Sequence, residues 1–250
     1  MKKSFILVLL LLGFCLAPAA LFAVERDDTD GDGISNADET GIYKTDSAKA
    51  DTDGDGFSDR EELIKGFSPH NPEKIKLEKN DFDKDGLSDR MEFNFHTDLS
   101  KADTDGDGFR DGEEIKTGFD PLNKDPKARL GKKIEINAGK EQTLYYYLGG
   151  VRLGQFRVST GKPGMPTPKG NFTIKNKSPK AWSKTYKLWM PYWLGMGNFG
   201  IHELPVWPNG YREGAGHIGK PVSHGCIRLP IGDAKILYDW AEVGTKVYIF

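Results

Sequence analysis

One acidic pattern occurs four times between residues 27 and 120, and it sets the strongest limit on how this chain can fold. Each copy has the form Asp-x-Asp-x-Asp-Gly, and the copies begin at Asp28, Asp51, Asp81 and Asp103. So many carboxylates with so few apolar residues do not favour a packed core, because two close like charges repel by about 1 kcal/mol even in water. The region therefore either binds cations or stays a solvated acidic segment.

The spacing favours calcium loops, in which side-chain oxygens at positions 1, 3 and 5 converge on one hard cation. Glycine at position 6 permits the sharp turn, position 7 offers its backbone carbonyl, and a glutamate at position 12 can bind through both oxygens. With position 9 included, the predicted metal ligands are Asp28, Asp30, Asp32, Ile34, Asn36, Glu39, Asp51, Asp53, Asp55, Phe57, Asp59, Glu62, Asp81, Asp83, Asp85, Leu87, Asp89, Glu92, Asp103, Asp105, Asp107, Phe109, Asp111 and Glu114. We expect a structural Ca²⁺ in each loop, since the metal must supply most of the free energy that orders it; Mg²⁺ is the alternative.

The four loops also resemble a known type of repeat and are arranged in pairs. An apolar side chain stands at position 7 rather than 8, which differs from an EF-hand and resembles the thrombospondin type 3 calcium repeats. The starting positions indicate two pairs of loops, and the phrases Gly66-Phe67-Ser68-Pro69 and Gly118-Phe119-Asp120-Pro121 suggest that one pair was duplicated. The resemblance implies a repeat region of short helices and loops.

The amino terminus has the pattern of a secretory signal. Met1-Lys2-Lys3 precedes an apolar run from Phe5 to Val24, which predicts a signal peptide over residues 1–23. An uncleaved membrane anchor is the alternative, because the run approaches the length that spans a bilayer. We expect export to the periplasm or cell envelope. If the signal is cleaved, Cys226 is the only thiol of the mature chain, which favours a reactive role.

Charge divides the chain into two units. Residues 24–128 carry 30 Asp and Glu against 15 Lys and Arg, whereas residues 129–250 carry 7 against 18. We predict a repeat region over 27–124, a linker over 125–131 and a second domain over 132–250. The basic half could suggest nucleic acid, but in an exported protein anionic wall polymers or peptide carboxylates are better partners.

The second unit contains a cysteine in an unusual setting, Ser223-His224-Gly225-Cys226-Ile227-Arg228-Leu229. A thiol reacts as thiolate, and a nearby histidine is the usual means of activating it. An isolated cysteine is more often an inert core residue, but here the neighbours are polar rather than apolar.

The same stretch resembles the active-site signature of the L,D-transpeptidases, the YkuD family. The resemblance extends to Gly200-Ile201-His202, to Thr167-Pro168-Lys169-Gly170-Asn171-Phe172 and to Gly244-Thr245-Lys246-Val247. It implies a mainly-β catalytic domain, a β-sandwich of the L,D-transpeptidase type. Strand patterns at Ile134–Ile136, Leu144–Leu148, Val151–Ser159, Asn171–Ile174 and Lys246–Phe250, and a helix over Ile231–Glu242, agree with that fold.

The resemblance also implies catalytic roles. Cys226 is the nucleophile, His202 the general base, and His224, Gly225, Arg228 and Ser223 complete the site. Backbone amides near Cys226 would stabilise an oxyanion, Arg228 would hold a substrate carboxylate, and Ser223 would shape the turn. Two departures stand out: the loop from His202 to Ser223 is longer than usual and holds a second candidate base, His217, and Glu203 stands where the family often has glycine.

The implied activity is transfer of a peptidoglycan stem peptide, as a Cys226 thioester, to an amine of another stem or of an envelope protein, with release of D-alanine and no catalytic cofactor. Two alternatives remain. One is an L,D-carboxypeptidase or wall hydrolase on the same fold, with water as the acceptor. The other is a non-catalytic, calcium-dependent wall-binding protein.

Overall fold

Each acidic loop leads directly into a short helix. The computed structural model describes residues 27–250, and its repeat region contains α1 (Asn36–Asp38, continued by a π-helical turn, Glu39–Tyr43), α2 (Asp59–Lys65), α3 (Asp89–Phe95) and α4 (Asp111–Thr117). These segments end on residues with left-handed backbone, Lys44, Gly66, His96 and Gly118, which stop a helix after few turns. The short helices and loops agree with the predicted fold of the repeat region.

The loops lie in two pairs. In the first pair the backbone N–H of Arg60 donates to Asp32 Oδ2 at 3.1 Å. In the second pair the N–H of Gly112 donates to Asp85 Oδ2 at 2.8 Å. Position 112 requires glycine, since a Cβ there would lie 2.7 Å from the Asp85 carbonyl oxygen. The pairing predicted from the spacing is confirmed.

The two pairs close in the same way, as the duplicated phrases predict. Phe67 forms an isolated bridge to Lys76, whose Nζ lies 3.6 Å from the phenyl centroid. Phe119 forms the equivalent bridge to Arg129, whose guanidinium lies 4.5 Å from its ring. The second loop pair is therefore a structural copy of the first, and the β-sheet half of the chain follows it.

The second half of the chain forms two sheets. The strands are β1 (Lys132–Asn137), β2 (Thr143–Leu148), β3 (Val151–Arg157), β4 (Gly170–Thr173), β5 (Asn176–Ser183), β6 (Leu188–Gly195), β7 (Gly200–Glu203), β8 (Ile227–Leu229) and β9 (Lys246–Ile249). The first sheet has the order β3-β2-β1-β9-β4 and the second the order β5-β6-β7-β8. One helix, α5 (Asp233–Trp240), contacts β6, β7 and β8.

A single apolar core lies between the sheets. Alternation in β1 turns Ile134 and Ile136 inward, and both are fully buried beside Val247 and Ile249 of β9. Residues of the second sheet and of α5 complete the core: Leu194, Ile201, Ile227, Leu229 and Leu237. The predicted mainly-β fold is confirmed.

The repeats touch the first sheet through a smaller apolar cluster. It joins Leu87, Phe95 and Ile115 of the second loop pair to Leu148 at the end of β2. Val151 and Leu153 of β3 pack against the same cluster. The repeat region therefore lies against the β2–β3 end of the sheet.

The predicted signal peptide, residues 1–23, falls outside the described residues. Within residues 27–250, no helix has the length and apolar character needed to cross a membrane.

Candidate functional site

Two neighbouring strands carry the predicted nucleophile and base. Strand β7 runs parallel to β8, with Ile201 opposite Ile227 and His202 opposite Arg228, and Cys226 directly precedes β8. Both Cys226 and His202 line one cavity of about 370 Å³. Residues that are 24 positions apart in sequence thus meet in one cavity because their strands are adjacent.

The tautomer of His202 follows from its surroundings. Its side chain is buried, and Nδ1 lies 2.6 Å from the backbone carbonyl oxygen of Glu203. A carbonyl oxygen only accepts, so Nδ1 carries the proton and Nε2 keeps a free lone pair. Burial lowers the pKa of His202 to about 4, so the imidazole is neutral near pH 7. A neutral histidine with a free Nε2 is suited to act as a base.

Cys226 is partly buried at the same cavity. Burial raises the pKa of its thiol, while the Gly200 N–H and the charge of Arg228 act in the opposite direction. The net shift is upward, which favours the protonated thiol. The resting pair is therefore a thiol beside a neutral imidazole, and the thiol must lose its proton as it attacks.

A braced turn presents Cys226. Ser223 Oγ donates to the Cys226 carbonyl at 2.6 Å and accepts from the Gly225 N–H at 3.1 Å. Gly225 has φ of 110°, which L side chains rarely adopt. Thr167 Oγ1 donates to the Gly225 carbonyl at 3.0 Å and accepts from the Gly161 N–H at 2.9 Å. Ser223 therefore shapes the turn, and Thr167, named from the sequence only as part of a family segment, supports it.

Arg228 lies in the cavity against a carboxylate of the long loop. Its Nη1 is 2.7 Å from Glu213 Oε2, and its side chain is only 8% exposed, so this is not a surface ion pair. Its Nε is buried without a hydrogen-bond partner among the described residues.

His217, the second candidate base, pairs through Nδ1 with Glu213 Oε1 at 2.9 Å and does not line the cavity.

Glu203, the other departure from the family pattern, has a structural partner. Its buried carboxylate pairs with Arg212 of the long loop and accepts from the Gly232 N–H before α5 at 3.2 Å. The extra length of the loop and the unusual glutamate are thus coupled, because the glutamate ties that loop to strand β7.

His224 lies at the mouth of the cavity rather than beside the buried base. Its ring stacks on Tyr186, with centroids 4.6 Å apart and an interplanar angle of 17°. Its Nε2 is 3.2 Å from Lys162 Nζ. Partial burial, together with the charges of Lys162 and Arg228, lowers the pKa of His224. Tyr186 belongs to the turn between β5 and β6, which brings this hairpin to the cavity.

The acidic loops gather their carboxylates as the spacing predicts. In each loop one oxygen from each aspartate at positions 1, 3 and 5 lies within 4.8 Å of the others. The position-12 glutamates are buried, and both oxygens of Glu62 and of Glu92 lack a hydrogen-bond partner in the described chain. Burial and the neighbouring aspartates raise the pKa of Glu62 to about 8, of Glu92 to about 9 and of Glu114 to about 7. Such a donor set fits a hard cation, which would supply the missing positive charge.

The position-9 side chains are engaged elsewhere. Asp59 Oδ1 accepts from the Thr52 N–H at 2.8 Å and Oδ2 from its Oγ1 at 2.7 Å, and Asp111 binds Thr104 in the same way. Asn36 pairs with Thr29 of its own loop. Asp89, whose loop has phenylalanine at position 2, binds the Phe82 N–H and the side chains of Asn80 and Ser68. These four side chains lie outside the carboxylate clusters and brace the loops, and their role as metal ligands stays a prediction.

Known proteins resemble both halves of the chain. Residues 131–249 match the model of the L,D-transpeptidase catalytic domain, YkuD. Residues 28–50, 51–66 and 103–124 match the bacterial TSP3 repeat. The resemblances stated from sequence are confirmed.

Among curated proteins, YciB of Bacillus subtilis, provisionally named an L,D-transpeptidase, is 32% identical over 46% of this chain and 64% of its own length. YkuD of Bacillus licheniformis, provisionally named in the same way, is 30% identical over 43% of this chain and 59% of its own. The chain thus spans less than two thirds of either relative.

Among solved structures, an L,D-transpeptidase from Mycobacterium smegmatis aligns with a TM-score of 0.43 and 23% identity, covering 49% of this chain and 60% of that one. An L,D-transpeptidase from Stackebrandtia nassauensis aligns with a TM-score of 0.41 and 33% identity, covering 48% of this chain and 55% of that one.

Proposed function

We propose that this chain, whose residues 131–249 carry an L,D-transpeptidase catalytic domain preceded by bacterial TSP3 repeats, is an acyltransferase acting on peptidoglycan stem peptides. In this proposal residues 27–124 form the calcium-binding region, 125–131 the linker and 132–250 the catalytic domain. The observation that carries it is the placement of Cys226 and a neutral, Nδ1-protonated His202 on one cavity.

The first half-reaction acylates Cys226. His202 Nε2 takes the thiol proton while the sulfur attacks the carbonyl carbon at the L-centre of the stem's diamino acid. The tetrahedral intermediate then collapses, the bond to the terminal D-alanine breaks, and the imidazolium returns its proton to the leaving amine. The products are a thioester on Cys226 and free D-alanine.

The second half-reaction releases the acyl group. An amine from a neighbouring stem, or from an envelope protein, attacks the thioester carbonyl and gives up a proton to His202. The new amide leaves, and the sulfur recovers its proton. If water attacks instead, the same site is a carboxypeptidase.

Backbone donors around Cys226 would stabilise the negative oxygen of both tetrahedral intermediates. The turn that Ser223 and Thr167 brace fixes the direction of those donors. Removing one oxyanion donor from an acyl-transfer enzyme typically costs about 3 kcal/mol of transition-state stabilisation.

Arg228 would bind the carboxylate of the leaving D-alanine. Because its Nη1 is paired with Glu213, an incoming carboxylate must either bind the other guanidinium nitrogens, Nε and Nη2, or displace Glu213. The long loop that carries Glu213 would therefore influence donor binding.

Calcium would be held in the four loops by the side chains at positions 1, 3, 5 and 12. It would supply the positive charge that the buried oxygens of positions 3, 5 and 12 require where they lack a hydrogen-bond partner within residues 27–250, and so order the repeats. Export, to the periplasm or cell envelope, belongs to the same proposal, because the substrate is a wall polymer.

The test is mass spectrometry of the calcium-loaded protein mixed with a stem tetrapeptide, with and without an acceptor amine. We expect an acyl adduct on Cys226, release of D-alanine and an amide product only when the amine is present. A Cys226→Ala variant that forms the product would overturn the assignment, and a hydrolysed product despite excess amine would favour the carboxypeptidase.

A further inference from the structure

The two loop pairs each contain a pocket between two phenylalanine rings, but the two pockets are filled differently. Phe57 and Phe67 line the pocket of the first pair, and Phe109 and Phe119 line that of the second. The cavity measures about 90 Å³ in the first pair and about 330 Å³ in the second. Since both pairs close in the same way, a few side chains must account for the difference.

Lysines of the chain itself fill the first pocket. The Nζ atoms of Lys74 and Lys65 lie 3.8 Å and 5.0 Å from the centroid of the Phe57 ring. Lys65 Nζ also lies 3.8 Å from Glu61 Oε2. The aliphatic stems cover the apolar wall, while the ammonium groups meet the negative face of the ring and a carboxylate.

The second pocket keeps both rings and a cation over one of them, because Arg129 lies over Phe119 as Lys76 lies over Phe67. The difference lies at the other ring, Phe109. Thr117 stands at the helix position that Lys65 has in the first pair, and Pro126, not a lysine, completes the lining of the second pocket. The Phe109 ring is 51% exposed, and within residues 27–250 no lysine or arginine lies over it. Glu113, the counterpart of Glu61, lines the pocket and has no ion pair with any residue of the described chain.

We propose that the second pocket binds a lysine side chain from a basic segment of a partner protein. The first pocket shows which group such a pocket accepts, because its own occupants are lysines. An aliphatic side chain would fill the apolar volume but leave Glu113 unpaired. The net charge over residues 24–128 stays negative even with a calcium ion in each of the four loops, and it would also draw a basic segment towards this face.

The test is a titration of the calcium-loaded chain with a tetralysine peptide at physiological salt, followed by amide chemical shifts. We expect shifts that cluster at Phe109, Thr117 and Phe119. Phe109→Leu removes the ring face at constant charge and should weaken binding about two- to fivefold, the size of one cation–π contact at an exposed site. Phe57→Leu, the matched change in the filled pocket, should leave the affinity unchanged.

A second variant fills the pocket from within. Thr117→Lys restores the lysine of the first pocket and should abolish the clustered shifts, whereas Asn94→Lys, an equal charge on an exposed helix position, should not. Equal weakening by Phe109→Leu and Phe57→Leu, or shifts spread evenly over the four loops, would overturn the proposal in favour of general electrostatic attraction. If a wall stem peptide with a free side-chain amine binds more tightly than tetralysine, the proposal that the partner is a protein would be wrong.

Discussion

The Nδ1 atom of His202 donates a hydrogen bond to the backbone carbonyl of the next residue, Glu203, at 2.6 Å. The ring also stacks on Trp193, with centroids 5.9 Å apart, so its orientation does not depend on a carboxylate. The more usual orienting group in such sites is a carboxylate, which would raise the basicity of the imidazole. Here a neutral carbonyl orients a buried ring, so the base is well aligned but weak.

The pH dependence of acylation follows from this relationship. Because the pKa of His202 is lowered to about 4, the imidazole keeps its free lone pair as the pH falls, until about that value. The upward shift of the Cys226 pKa keeps the thiol protonated well above neutrality. We expect D-alanine release to stay level from about pH 5 to 8 and to fall with an acid midpoint near 4. A midpoint near the ordinary histidine value of about 6.5 would contradict the burial argument. Circular dichroism at each pH would show whether the protein remains folded.

Thr167 should support the Cys226 turn through its hydroxyl. Thr167→Val keeps the volume but leaves the Gly225 carbonyl and the Gly161 N–H without their partner, at a cost of about 1–3 kcal/mol for each buried group. We expect slower acylation together with a lower melting temperature. Thr167→Ser retains the hydroxyl and should be close to wild type. Equal loss in both variants would mean that the hydroxyl alone does not account for the role of Thr167.

Glu213 should compete with the donor for Arg228. Glu213→Gln removes the charge that neutralises the guanidinium, so a donor with a free terminal carboxylate should bind about tenfold more tightly, since a charged hydrogen bond contributes about 1.5–3 kcal/mol. The measurement is KM for D-alanine release. An amidated donor, which has no carboxylate, is the control and should show no gain. A gain for both donors would mean that the loop, not the charge, controls access.

Removal of calcium should unfold the repeats. The position-12 glutamates are buried, and both oxygens of Glu62 and of Glu92 lack a hydrogen-bond partner within residues 27–250, so without a cation these two carboxylates face neighbouring carboxylates. We expect a chelator to reduce the helical signal in circular dichroism, and added calcium to restore it.

Two adjacent glutamates, Glu61 and Glu62, should differ in their effect on calcium binding. Glu62→Gln should weaken calcium binding about tenfold, because affinity in such loops follows the number of charged ligands. Glu61→Gln, a change at an exposed position on the same helix, should not. Calorimetric titration would separate them, and equal affinities would remove Glu62 from the ligand set.

The sequence predicted the fold of both halves where local pattern decides it. Alternation at Ile134 and Ile136 and the apolar run from Leu144 to Leu148 predict strands that the structure contains. Strands β5 to β8 were not predicted, because β5 and β6 alternate poorly and β8 has only three residues. Their pairing depends on contacts between residues far apart in the chain, which no local pattern records.

The sequence pointed to the two central residues of the candidate site, but not to the side chains that hold the surrounding segments in place. The motif around Cys226 and the histidine in Gly200-Ile201-His202 are local signals, and the cavity contains both. The Glu203–Arg212 pair and the Thr167 bonds join segments that are distant in sequence, so spacing alone could not reveal them. The repeated Asp-Thr-Asp shows a threonine at position 2 of three loops. The pattern does not reveal that these threonines bind the position-9 side chains, because that contact forms only when the loop is folded.

The apolar cluster between the repeats and the first sheet has a consequence for solubility. Strand β3 is an outer strand of that sheet, and its Val151 and Leu153 are covered by the second loop pair. An uncovered outer strand presents unpaired backbone groups on which another chain can align. Calcium that holds the loops folded would therefore also keep these apolar side chains of the outer strand covered, and we expect its removal to favour self-association of the chain.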